Sequence, residues 1–99
     1  MLYVIFATDH PNSLAARKLA RPDHLARLEL LKAQDRLFLA GPFPAIDNND
    51  PGEAGFSGSM IVAEFNNLID AENWAKVDPY IKAGVYKNVI VKPFKKVLP

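Results

Sequence analysis

Few side chains in this sequence can exchange a proton near neutral pH. There are two histidines and no cysteine. His10 stands beside Pro11 in a turn-forming stretch and is expected to be solvated. His24 is placed differently. It lies four residues before Leu28 and seven before Leu31, so on a helix it shares their inward face. An imidazole on an apolar face is either a satisfied core residue or an acid–base group, and residue type alone does not separate the two. Asp78 supplies the complementary carboxylate. It precedes Pro79, and Gly84 follows a few residues on, which is the pattern of a short helix with its cap, first position and end. A cap uses one carboxylate oxygen and leaves the other free. Asp78 can therefore also orient a histidine, and the two would form a base with an orienting partner.

The other candidates play supporting parts. Ser59 could donate a hydrogen bond to a substrate, but no Gly-x-Ser-x-Gly elbow surrounds it, so it does not read as a nucleophile. Tyr80 could add a phenol or form an amphipathic wall. Gly41-Pro42 either permits close approach of backbone to a ligand or ends a strand. No metal site is expected, because the histidines lack HxH or HxxxH spacing. The run Asp47-Asn48-Asn49-Asp50 resembles a calcium loop whose register fails at Pro51. No glycine-rich phosphate loop is present, so no nucleotide cofactor is expected, nor any other cofactor.

Positioning these residues is the task of the secondary structure. Residues 2–8 are β-branched and aromatic and end at a turn signal, which reads as a strand. Residues 13–20 are good helix formers, with Ser13 as a capping candidate. Pro22 either starts a second helical piece or kinks one long helix. Residues 22–34 carry an apolar stripe of Leu25, Leu28, Leu30 and Leu31. Were a helix to begin at Pro22, His24 would lie in its first turn, where the positive end of the helix dipole favours a neutral imidazole. Strands are predicted over 36–42, 58–65 and 86–94, a long loop over 43–57, and helices over 70–77, capped by Asp70, and 78–84. Trp74 is expected to pack its helix against the sheet.

The resulting order β-α-β-β-α-β is the split βαβ, ferredoxin-like arrangement: an α+β fold with an antiparallel four-stranded sheet in the order 4-1-3-2. Alternating strand directions carry the end of the first strand, the start of the 22–34 helix, Gly41-Pro42, Gly58-Ser59 and Asp78-Pro79-Tyr80 to one edge. Asp9, His24, Ser59, Asp78 and Tyr80 thus converge there. Both faces of the first strand are apolar: Tyr3, Ile5 and Ala7 on one, Leu2, Val4 and Phe6 on the other. Two helices cover one side of a sheet, and a wet second face should be polar. A second copy is expected to cover it, giving a homodimer, with higher oligomers left open.

Bulk composition bounds the partners. Ninety-nine residues suit a single domain spanning 1–99, whose small core leaves room for help from a partner chain. Twelve Lys+Arg against eleven Asp+Glu give a net charge of +1, with no basic stripe for nucleic acid. No run approaches the length of a membrane span, and a cytoplasmic protein is expected. Lys92, Lys95 and Lys96 read as a solvated face.

The stretches Arg21-Pro22-Asp23-His24-Leu25, Arg36-Leu37 leading to Gly41-Pro42, Asp78-Pro79-Tyr80 with Ala83-Gly84-Val85-Tyr86, and Val91-Lys92-Pro93-Phe94 resemble those of the YCII-related (YciI-like) proteins over essentially the whole chain. Asn49-Asp50-Pro51-Gly52 with Ala54-Gly55-Phe56 resembles the enterobacterial type. The resemblance implies a dimeric ferredoxin-like α+β barrel, related in fold to muconolactone isomerases, with a histidine–aspartate pair that carries over to His24 and Asp78. It also implies, for some relatives, dehydrochlorination of chlorinated hydroxyhydroquinones. The expected function is a lyase or isomerase that acts on a small polar or anionic organic molecule by proton transfer. The alternative is a non-catalytic dimer that binds a small metabolite in the same pocket.

Overall fold

The computed structural model describes every residue from Met1 to Pro99. In chain order the elements are β1 (Leu2–Asp9), α1 (Leu14–Ala33), β2 (Leu37–Pro44), a 3-10 turn (Gly52–Ala54), β3 (Phe56–Glu64), α2 (Leu68–Lys76), α3 (Pro79–Lys82) and β4 (Tyr86–Phe94). The strands form one antiparallel sheet in the order β2-β3-β1-β4. This is the expected 4-1-3-2 order read from the opposite edge.

Of the two readings of Pro22, the structure takes the single helix: α1 is one 20-residue helix, and Pro22 lies inside it. An interior proline removes a backbone hydrogen bond and costs about 3 kcal/mol in a helix. Pro22 is exposed, so water can satisfy the carbonyl it frees. The inward stripe Arg17, His24, Leu28 and Leu31 runs unbroken past it. His24 is therefore mid-helix, and the first-turn dipole argument for a neutral imidazole does not apply. Leu30, expected in the stripe, is 64% exposed, because it sits about 100° around the helix from Leu31. Ser13 occupies the cap position, but its side chain makes no capping bond.

Two shorter helices are fixed by side-chain caps. Asn67 Oδ1 accepts from the Asp70 backbone N–H at 2.8 Å, so α2 starts earlier than expected and Asp70 falls in its first turn. Asp78 caps α3 as expected, Oδ1 accepting from Tyr80 N–H at 2.9 Å. β2 does not end at Gly41-Pro42 but continues to Pro44. It is an edge strand, where a proline need not break the ladder. Gly58 is required by packing, since a Cβ there would collide with the Ala7 carbonyl oxygen of β1.

The helices lie on one side of the sheet. Their core joins Tyr3, Ile5, Ile61 and Ala63 to Leu28 and Leu31 of α1 and Ala71 and Ala75 of α2. Trp74 packs against this core, with its ring 5.8 Å from that of Phe65. On the opposite side, register aligns Val4 and Phe6 of β1 with Val62 and Met60 of β3 and with Lys92 and Ile90 of β4. That face is apolar apart from Lys92 and is uncovered by either helix: Phe6 is 43% exposed, Ile90 44% and Phe94 43%. No helix is long and apolar enough to cross a membrane.

Candidate functional site

A cavity of about 430 Å³ opens between α1 and the β2–β3 edge of the sheet. Along α1 its wall is the i, i+3, i+4 succession Leu14, Arg17, Lys18, Arg21, His24, Leu25 and Leu28. Ser59, Gly41, Pro42 and Tyr80 face it from the other elements. One side of one helix thus carries both the cations and the imidazole.

His24 and Asp78 meet behind this wall. Nδ1 of His24 lies 3.0 Å from Asp78 Oδ1 and 2.9 Å from Oδ2. Both residues are buried, at 6% and 3% exposure. An ionised carboxylate can only accept, so Nδ1 carries a proton, and in the neutral imidazole Nε2 carries the lone pair. His24 makes its hydrogen bonds through Nδ1 alone, and its side chain lines the cavity. The Tyr80 ring stacks beneath the imidazole at 4.0 Å and 15°. Asp78 therefore does two jobs at once: it starts the turn that brings Tyr80 under His24, and it fixes the imidazole tautomer.

A second buried group adjoins the first. Arg17 donates from Nε to Asp9 Oδ2 at 2.6 Å and from Nη2 to Asp9 Oδ1 at 3.3 Å, Gly58 O at 2.8 Å and Ser59 Oγ at 2.6 Å. Its guanidinium carbon lies 4.8 Å from the Tyr80 ring centroid and 5.5 Å from that of Phe56. Tyr80 thus bridges the two polar groups. Ser59 Oγ accepts from Arg17, so its hydroxyl proton is left for a further acceptor, and the Tyr86 phenol is one such neighbour. Burial pushes the Tyr80 phenol up, with the charges of Arg17 and Arg21 opposing, so it is neutral at pH 7. Burial likewise raises the Tyr86 phenol well above its ordinary value, with the neighbouring Ser59 hydroxyl and the Arg17 charge opposing. Arg27 stacks on Trp74 at 4.1 Å and donates to its carbonyl at 2.8 Å. Burial lowers the Arg27 pKa, and the nearby Asp78 charge offsets part of that.

All six residues singled out from sequence lie at this end of the fold: His24 and Asp78 in contact, and Ser59, Tyr80, Gly41 and Pro42 on the cavity. A Cβ on Gly41 would meet no protein atom, so its small size answers no packing need within the chain. His10 is exposed, as expected. Sequence reasoning missed Arg17 and its neighbours Lys18 and Arg21. The available signal was spacing. Arg17 lies seven residues before His24, on the same face, but this is visible only if the helix continues through Pro22. No group of three His, Cys, Asp or Glu side chains is arranged to hold a metal ion.

Fold and site together define a ferredoxin-like α+β protein with a buried histidine–aspartate pair beside a cavity. The chain belongs to the YCII-related domain family, which matches residues 1–95. It is 60% identical over 97 residues to the proteins called YciI of Escherichia coli O6:H1 and Shigella flexneri, covering 98% of this chain and 99% of theirs. A Haemophilus influenzae protein shows the same identity and coverage. Among solved structures, 5-chloro-2-hydroxyhydroquinone dehydrochlorinase of Burkholderia phenoliruptrix AC1100, in complex with 2,5-dihydroxybenzoquinone, superposes with a TM-score of 0.83 at 30% identity, covering 96% of this chain and 94% of that one. A Pseudomonas aeruginosa protein shares the fold, with a TM-score of 0.52 at 11% identity over 98% of this chain and 93% of its own.

Proposed function

We propose that the protein is a small-molecule enzyme of the lyase or isomerase kind, with His24 as its general base. The observation that carries this reading is the division of labour on the imidazole: Asp78 occupies Nδ1, and Nε2 is left without a protein partner on a residue that lines the cavity. Nε2 removes a proton from an activated C–H or O–H of a small polar, cyclic or enolic substrate. The electron pair released forms a C=C or C=O bond and, where a halide sits on the adjoining carbon, expels it as the anion. In an isomerisation the proton returns from Nε2 to another carbon of the same molecule. Asp78 steadies the imidazolium formed in between. Ser59 and backbone N–H groups near Gly41 hold the developing oxyanion. Tyr80 keeps the imidazole plane fixed, and Pro42 walls the cavity. Proton transfer of this kind needs no cofactor.

The reading includes a homodimer. The open sheet face is a largely apolar surface of Phe6, Met60, Ile90 and their neighbours, with Lys92 among them, of the sort that a second sheet covers in a two-fold pair.

Relatives supply a first substrate to try. Chloride release from 5-chloro-2-hydroxyhydroquinone, and turnover of related halogenated and enolic rings, is measured with wild type and His24→Ala. Loss of about 10²–10⁴-fold is expected for the variant. Equal turnover by both would remove His24 from the mechanism. Binding without turnover by either would leave a metabolite-binding dimer as the better account.

A further inference from the structure

The cavity is polarised along its length. Toward the start of α1 its wall carries Arg17, Lys18 and Arg21 together with the apolar Leu14 and Phe56; toward the other end it is Leu25, Leu28, Ala40 and Ile61, without a charge. His24 stands at the boundary. No aspartate or glutamate is among the cavity's lining residues. Of the three cations, only Arg17 has its charge answered, by Asp9. Lys18 and Arg21 make no salt bridge and no side-chain hydrogen bond. Arg21 lines the same cavity as His24 and Tyr80, near enough for its charge to act on the Tyr80 phenol. Two unpaired cations beside a cavity with no carboxylate create a local positive potential on a chain whose net charge is only +1.

We infer that the substrate is a carboxylate-bearing molecule, its anionic group held by Arg21 and Lys18 and its apolar body lying along Leu25 and Leu28, with the reacting atom at His24. This inference rests on the cavity being the substrate site of the function proposed above. At a helical rise of about 1.5 Å per residue, Arg21 stands about 4.5 Å and Lys18 about 9 Å before His24, and Leu28 about 6 Å beyond it. The two cationic residues are thus rooted about 5–9 Å from His24 along the helix axis. That span matches a ring or short chain that carries its acid group at one end. Arg21 offers the planar fork that suits a carboxylate, while Lys18 adds a mobile point charge.

The test compares two isosteric ligands, 2,5-dihydroxybenzoate and 2,5-dihydroxybenzamide, titrated into the full chain. His24 and backbone amide shifts are followed by NMR. The benzoate is expected to bind about tenfold or more tightly, since one charge-assisted contact gives about that factor. The preference should shrink as salt is raised. In Lys18→Gln/Arg21→Gln it should vanish, with the amide's affinity little changed. Equal affinity of the two ligands for wild type, a preference that survives in the double variant, or no binding of either at millimolar concentration would overturn the inference. The two proposals fail separately. Equal binding with His24 perturbed refutes the anion preference alone, whereas a carboxylate preference with turnover indifferent to His24→Ala refutes only the proton-transfer reading.

Discussion

Replacing Asp78 in two ways separates its structural role from its chemical one. Asp78→Ala removes the cap of α3, worth about 1 kcal/mol. It also strands the buried His24 Nδ1–H, a further cost of about 1–3 kcal/mol. The sum, about 2–4 kcal/mol, corresponds to a fall in Tm on the order of 10–20 °C for a domain of this size. Asp78→Asn behaves differently. Its Oδ1 can still accept from Tyr80 N–H, where Asp78 now does so at 2.9 Å, so the loss of stability should stay under about 1 kcal/mol. Its amide, however, presents a donor to His24 Nδ1. The imidazole must then accept there, and its proton moves to Nε2, which becomes a donor to the cavity and can no longer act as a base. Activity should fall by about 10²–10⁴-fold in a protein that melts almost normally. Thermal unfolding by circular dichroism reads the first quantity. Nitrogen-15 NMR of the imidazole reads the tautomer. Equal destabilisation by both substitutions, or an unchanged tautomer in Asp78→Asn, would refute this reasoning.

Three further outcomes are expected. Phe6→Glu places a charge on the open sheet face, and since burying a Phe stabilises by about 1.5–3 kcal/mol and a two-fold contact counts it twice, the dimer should weaken by about 10²–10⁴-fold in sedimentation; an unaltered dimer would mean that another surface pairs. Arg17→Met leaves the buried Asp9 carboxylate unpaired and should cost about 3–5 kcal/mol in urea unfolding, with most of it recovered when Asp9→Asn is added; a loss no larger than that of Lys18→Met would contradict this. Because burial raises the Tyr86 phenol above its unfolded value, the contribution is complete below about pH 10 and is lost above it, at up to about 1.4 kcal/mol per pH unit, as the unfolded chain alone ionises; Tyr86→Phe should flatten that alkaline decline, and identical slopes would show the hydroxyl to be better solvated than its burial indicates.

What could be read from the sequence follows from which signals are local. The first and last strands were legible because apolar, β-branched runs end at strong turn residues, and strand order followed from their alternation with helices. Asp78 was legible as a cap because Asp-Pro with a following glycine is a local code, and the cap alone places its carboxylate at the sheet edge. The continuation of α1 through Pro22 was legible only as one of two alternatives. Propensity disfavours proline there, and only tertiary burial of the Arg17–His24–Leu28–Leu31 face outweighs it. Leaving that continuity open hid Arg17, whose spacing to His24 has meaning only within one helix. The alternative start at Pro22 would have put His24 at a helix start it does not occupy. Gly41-Pro42 reads locally as a strand end, and its position on an edge strand is a property of the assembled sheet. The open apolar face was legible because period-two alternation reports both faces of a strand at once.

A crystal structure of the protein with 2,5-dihydroxybenzoquinone would test the account most directly. The account places a ligand oxygen or reacting carbon within about 3–3.5 Å of His24 Nε2, with Asp78 still on Nδ1. A ligand bound away from His24, or an imidazole turned so that Nδ1 faces the ligand and Asp78 is released, would contradict it.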